Sequence, residues 1–311
     1  MNSVMSRETR RHARLMGSDF EFVIVDEEPD TALDAAIDEV KRIESLLTEF
    51  SGTSQTSLIN QNAGIQPVFV DEEVYRLIKR CKELSGLTQG AFDITCGLLK
   101  QLYNFKGEIS KLPDATSIHT VLGKTGSDKI QLKEPNRVFL DTPGMHIAFG
   151  AIGKGYAADK VKRKLIENGI TNGVINASGD LTAFGRRTDG SLWKVGIADP
   201  EDPSRVLFWL PVNNASVATS GNYEQYFEAG GIRYSHNIDP RTGRPVKGIR
   251  SVTIVSSSAE LSDALATAVT VMGVDVGLHL IDQLPGMYCI IITDQNKIFT
   301  SRNLKIEPNR L

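Results

Sequence analysis

"SSAELSDALATAVTVMG", residues 257–273, is the stretch on which the architecture turns. Its spacing predicts a helix from Ser257 to Met272, opened by Ser257 and Glu260 as a capping box and stopped by Gly273. The segment "DALATAVTVMG" is apolar nearly all round, so this helix belongs inside the protein rather than on its surface. Strand-like runs flank it at 250–256 and 287–294, the second containing "MYCIIIT".

Other elements alternate with these irregularly. "DFEFVIV" (19–25) alternates as a strand does. Leu33, Ile37, Val40, Ile43, Leu46 and Leu47 fall at helical spacing over Thr31–Leu47, and the polar loop "SGTSQTS" follows. Residues 71–86 read as a second amphipathic helix, with Asp71 at its start and Gly86 as its C-cap. Strands are predicted at 137–141 and 145–149, then a helix from Tyr156 to Asn168 closed by Gly169. "GVINAS" reads as a buried strand broken at Gly179-Asp180, and further strands fall at 193–197, 206–211 and 232–238. Without a regular βαβ beat, the class is α+β rather than a doubly wound sheet. No fixed-period repeat and no linker is visible. Residues 1–13 are expected to be a basic, solvated arm, and 14–311 a single domain.

Composition removes several classes of function. Hydrophobic residues make up 41% and charged residues 23% of the chain, which excludes a disordered protein. A formal net charge of −3 leaves no electrostatic footprint for nucleic acid. Cys81, Cys96 and Cys289 lie far apart without a CxxC, so neither a disulfide framework nor a zinc pattern is expected. No apolar run is long enough for a transmembrane helix, and the N-terminus lacks a signal peptide's apolar core. The expected place is cytoplasmic as the sequence stands, or periplasmic or membrane-anchored if an export signal has been removed.

Polar residues in apolar settings mark the candidate chemistry. Asp263 sits within the buried helix, and Thr267 lies one turn further on the same face. A buried carboxylate needs a partner. That partner is either a hard cation such as Mg²⁺, or a neighbouring Arg or backbone N–H groups. "IAFGAIGKGYAAD" (147–159) is glycine-rich and runs into a helix. It is no P-loop, because Ala148 and Gly155 stand where that motif needs a glycine and a hydroxyl. Lys154 there suits an anion, although capping geometry alone also explains the glycines. In "YSHNIDPRTGRP" (234–245), His236 precedes a turn pinned by Pro240, Gly243 and Pro245, either a plain corner or an aimed imidazole. "QGAFDITCG" (89–97) sets Asp93 behind an aromatic residue.

Together and in order, "RLMGSDFEF", "SQTSLINQNAG", "GAFDITCGLL", "GAIGKGYAADKV", "GVINASGDL", "ATSGNYEQYF", "YSHNIDPRTGRPV" and "SDALATAVTVMG" resemble the FAD:protein FMN transferase family, called ApbE-like, from about Arg14 to Gly273. The resemblance implies an α+β fold of mixed or antiparallel sheets packed with helices in T-fold-like halves, with the flavin site in a central cleft. It implies Mg²⁺-dependent transfer of FMN from FAD to a Thr or Ser hydroxyl in a flavinylation motif of an acceptor protein, with AMP leaving. By the same resemblance, Asp263, Thr267 and the carbonyl of Ala151 would hold Mg²⁺. Met16, Phe50, Ala91, Phe92, Asp93, Lys154 and Ile238 would line the FAD site, and His236 would be the general base, with Asp180 and Asp239 as orienters. A homodimer is left open. Three positions depart from the family pattern: Ala148 where an acid is common, Ser178 where a glycine is usual, and Gln55 in place of an acid. Ala148 and Ser178 keep an FAD-binding carrier without transfer activity in view, and a pyrophosphatase giving FMN and AMP with water as nucleophile is the other alternative.

Overall fold

The computed structural model describes residues 7–103, 112–202, 204–221, 226–229, 232–302 and 304. Its centre is an eight-stranded sheet made of β1 (Arg7–Leu15), β2 (Ser18–Asp26), β3 (Gly173–Ala177), β4 (Asp180–Phe184), β5 (Ala215–Gly221), β6 (Ile249–Ser256), β7 (Tyr288–Thr293) and β8 (Ile298–Thr300). The strands lie side by side in chain order, and each pair of neighbours is antiparallel. Helices are inserted twice, at the same place in the pattern. Between β2 and β3 come α1 (Pro29–Leu47), α2 (Glu72–Leu87) and α3 (Gly153–Glu167) among shorter elements; between β6 and β7 come α4 (Ala259–Met272) and the short helix Val274–Ile281. The sheet is therefore two strand–strand–helices–strand–strand halves joined edge to edge, as the T-fold-like expectation has it.

Strand alternation decides which side chains meet the helices. Phe20, Phe22 and Ile24 of β2 pack with Leu33, Val40 and Ile43 of α1 and with Val161 and Leu165 of α3. Val23 and Val174 point the other way, where the hairpin of Trp193–Ala198 and Val206–Val212 covers them with Trp193, Ile197 and Leu210. Helix α4 is buried on two sides, its Ala264 and Ala268 in the first core and its Leu265 and Val269 against Val252, Ile254 and Ile291.

Several expectations change. Residues 7–13 are no loose arm, because Arg7–Leu15 pairs along its length with Ser18–Asp26 as an edge strand. Its arginines find acidic partners across the strand and on α1: Arg10 pairs with Glu21 at 2.7 Å and Arg11 with Asp30 at 2.7 Å and with Asp34. Cationic side chains on an edge strand also discourage pairing with another sheet. Residues 145–149 form no strand; Ile147 is fixed instead by the side chain of Asn60, and the amide of Ala148 donates to the Ile94 carbonyl. Helix α2 runs through Gly86 to Leu87, the glycine lying inside it rather than capping it. The loop "SGTSQTS" already contains the start of helix Gln55–Gln61, capped by Ser54. Gln55, in place of an acid, accepts from the Asp71 amide at 2.8 Å and so ties that helix to the start of α2.

Candidate functional site

Helices α3 and α4 cross closely enough to form a site only because residue 155 is glycine. A Cβ at Gly155 would lie 2.2 Å from the Ala259 carbonyl oxygen and 2.9 Å from Cβ of Asp263. With only hydrogen there, the Gly155 amide reaches Oδ2 of Asp263 at 3.1 Å. One turn along α3, the Asp159 carboxylate accepts from the amides of Ala259 and Glu260 at 3.0 Å each and from the Ser258 hydroxyl at 2.7 Å. It thereby satisfies orphan donors at the start of α4. The cap is Ser258, whose Oγ accepts from the Leu261 amide, rather than Ser257. Glu260 is not a capping partner; it forms a two-pronged pair with Arg80 at 2.6 and 3.0 Å.

Around this crossing lies a small polar cavity. Asp263 and Thr267 enter from α4, Ala151 and Lys154 from the start of α3, and Asp180 from the first position of β4. His236 and Asn237 come from the loop after strand Ile232–Ser235, and Asn237 is held by the hydroxyls of Ser235 and Ser220. Lys154 Nζ stands 2.6 Å from Oδ2 of Asp180 as an ion pair. Burial raises the Asp180 carboxyl, and Lys154 works against that rise. Burial, and after it the charge of Asp180, pushes the Asp263 carboxyl up to about 8. Two buried carboxylates facing one another need positive charge between them.

The donor set suits a hard divalent ion. A carboxylate, a hydroxyl and the Ala151 backbone carbonyl are all oxygen ligands, which Mg²⁺ prefers. Among the described residues no three His, Cys, Asp or Glu side chains gather as a metal site, so the softer transition-metal patterns have no counterpart here. The cavity, about 70 Å³, admits an ion and water but no dinucleotide. Gly150 and Lys154 also border an adjoining cleft of about 490 Å³, which Met16, Glu49, Phe50 and Phe149 line. Phe50 is 91% exposed and leaves its ring face free for a planar ligand.

Of the residues expected to act together, His236, Lys154, Ala151, Asp263 and Thr267 share the cavity, and Met16 and Phe50 share the cleft beside it. The other four are placed elsewhere. Ala91 and Phe92 are 1% exposed, Phe92 within the main core, and Ile238 packs with Leu99 and Tyr103. Asp93 spends its oxygens on Thr95 and on the Ser127 amide, at the wall of a third cavity with Gly90 and Arg241. Asp239 is engaged by Arg241 at 2.8 Å, so it fixes its own turn.

Two departures from the family pattern gain a structural account. Ser178 and Gly179, with φ of 57° and 101°, form the two-residue turn of the hairpin joining β3 and β4, and the Asn176 side chain accepts from the Gly179 amide. Such a turn needs positive φ at both centres, and Ser178 is exposed there rather than wedged. Ala148 brings no acid, yet the cleft has one in Glu49, 2.5 Å from Nε2 of His146. Glu49, Asp159 and Lys100, which also borders the polar cavity, were not singled out by sequence. Only Glu49, beside Phe50, carried a hint.

The fold and site define an α+β protein whose antiparallel sheet supports an oxygen-lined, lysine-flanked cavity beside an aromatic cleft. Residues 16–291 match the ApbE family, and the chain belongs to that family. It is 34% identical to a FAD:protein FMN transferase of Klebsiella pneumoniae over 274 residues, 86% of this chain and 85% of the relative. Among solved structures, the ApbE protein of Thermotoga maritima superposes with a TM-score of 0.87 at 31% identity, covering 95% of this chain and 97% of that one. The apo flavinyl transferase ApbE of Pseudomonas stutzeri gives 0.86 at 25% identity, with 97% of each chain covered.

Proposed function

We propose that this protein is a FAD:protein FMN transferase that moves FMN from FAD onto a Thr or Ser hydroxyl of an acceptor protein. The observation that carries this reading is the shared cavity. Asp263, Thr267, Lys154 and His236 face one polar space, which adjoins the cleft of Met16 and Phe50 at Gly150 and Lys154. A dinucleotide lying across that junction presents its flavin to the aromatic cleft and its diphosphate to the polar end.

Asp263, Thr267 and the Ala151 carbonyl are the residues that would hold Mg²⁺. When bound, the ion neutralises charge on the diphosphate oxygens and on the departing phosphate. Lys154, braced by Asp180, offers a fixed positive charge at the mouth of the cleft. His236 accepts the proton of the acceptor hydroxyl, an imidazole's ordinary role near neutral pH. The hydroxyl oxygen forms a bond to the FMN phosphorus, the P–O bond to the AMP half breaks, and AMP leaves with that electron pair. The same arrangement with water as nucleophile would be a pyrophosphatase.

The test is intact-mass spectrometry of an acceptor carrying a Thr or Ser target motif, incubated with the protein, FAD and MgCl₂. A mass gain of one FMN phosphoryl unit with one AMP released per acceptor supports transfer. AMP released equally without acceptor points to the hydrolase, and bound but intact FAD points to a carrier.

A further inference from the structure

Lys100 stands at the end of the short helix Gly97–Leu102, and its side chain borders the polar cavity with Asp263, Thr267 and His236. Among the described residues it makes no ion pair or side-chain hydrogen bond, unlike Lys154, which Asp180 engages at 2.6 Å. A half-buried ammonium that feels the Asp263 carboxylate across the cavity but donates no side-chain hydrogen bond keeps its donors for a ligand.

Charge balance indicates which ligand. Among the described residues, the ionisable side chains lining the cavity are Asp180, Asp263, Lys100, Lys154 and His236. Two carboxylates offset two ammonium groups, and a bound Mg²⁺ then leaves an excess of two positive charges with the imidazole neutral. The diphosphate of FAD carries two negative charges, so the filled site is neutral. Without Lys100 the filled site would hold a net negative charge inside a largely buried space, a costly arrangement.

We propose that Lys100 is a further substrate-binding residue, contacting the diphosphate in the cavity it shares with the Asp180-bound Lys154. This rests on the function proposed above. The ammonium donates charge-assisted hydrogen bonds to phosphate oxygens, and an arginine can do the same.

Binding of ADP in the presence of MgCl₂, measured by calorimetry on the full chain, tests it, with riboflavin as the phosphate-free control. Lys100→Ala should weaken ADP about tenfold or more, leave riboflavin unchanged, and raise the KM for FAD more than it lowers kcat. Lys100→Arg should recover most of the ADP affinity. Lys100→Gln keeps the reach without the charge and should match the alanine variant, which guards against a folding defect in either one. Unchanged ADP affinity in both neutral variants, or an equal loss for riboflavin, overturns the role of Lys100. If the wild type transfers flavin normally while that happens, only this inference falls. If the wild type neither binds ADP nor transfers FMN, the proposed function falls with it.

Discussion

The amide of Gly155 donates to Oδ2 of Asp263 at 3.1 Å, joining the glycine-rich start of α3 to the apolar helix α4. That bond fixes which way the carboxylate faces, and it exists only because nothing bulkier than hydrogen stands at 155. Gly155→Ala would drive a methyl into the Ala259 carbonyl, 2.2 Å away. Overpacking against backbone typically costs about 1–3 kcal/mol and occasionally more. We expect a lower urea midpoint together with a smaller gain in stability on adding MgCl₂ than the gain expected for the wild type. A variant as stable as wild type would contradict the close crossing.

The metal reading has its own pH signature. Burial, then the charge of Asp180, places the Asp263 carboxyl at about 8 in the metal-free protein. A folded value above the ordinary carboxyl range means that ionisation costs stability as pH rises toward 8, while Mg²⁺ binding requires the ionised form. The thermal shift caused by MgCl₂ should therefore be larger at about pH 9 than at about pH 6, and Asp263→Asn should abolish it. Equal shifts at both pH values would exclude competition between proton and metal at this carboxylate.

His236→Ala should retain FAD and Mg²⁺ binding, since the imidazole borders the cavity without being part of the proposed oxygen donor set. Transfer should fall by about 10²–10⁴-fold, the usual contribution of a positioned general base. Normal transfer by this variant would assign the proton to another group.

Glu73 supplies a pH dependence remote from the site. Burial favours its neutral form, but hydrogen bonds from Arg42, Lys160 and Tyr156 outweigh that and hold the carboxyl at about 2, against 4.5 ordinarily. A depressed folded value contributes stability above pH 4.5 that is lost as pH falls toward 2. Glu73→Gln should flatten the acid limb of the stability profile over that window and leave transfer unchanged at neutral pH. An unaltered acid limb would show that the network contributes nothing.

Ser178 holds a left-handed backbone at φ 57° in an exposed hairpin turn. Ser178→Gly relieves that strain but adds freedom to the unfolded chain, so the net gain should be small, under about 1 kcal/mol. FAD affinity should not change, as measured by flavin fluorescence. A large change in affinity would mean that the turn touches the ligand.

The chain's local pattern determined the elements whose period is long and clean: α1, the apolar helix α4, and β2, β3, β6 and β7. It also marked Asp263 with Thr267, because a carboxylate in an apolar helix is anomalous wherever that helix is placed. What it could not convey was partnership across distance. The repeated half-sheets share element order but no repeating sequence, and Arg7–Leu15 reads as a charged tail until Glu21, Asp30 and Asp34 stand opposite its arginines. Lys100 and Asp159 are ordinary surface types in sequence, and Lys154 carried only the glycine-rich start of its helix as a hint. Only the α3–α4 crossing, permitted by one missing Cβ, brings Asp159 onto the start of α4, and only the packing of α3 on β4 sets Lys154 beside the buried Asp180. Charge repulsion and desolvation act through space, so their consequences became readable only once residues distant in the chain had met.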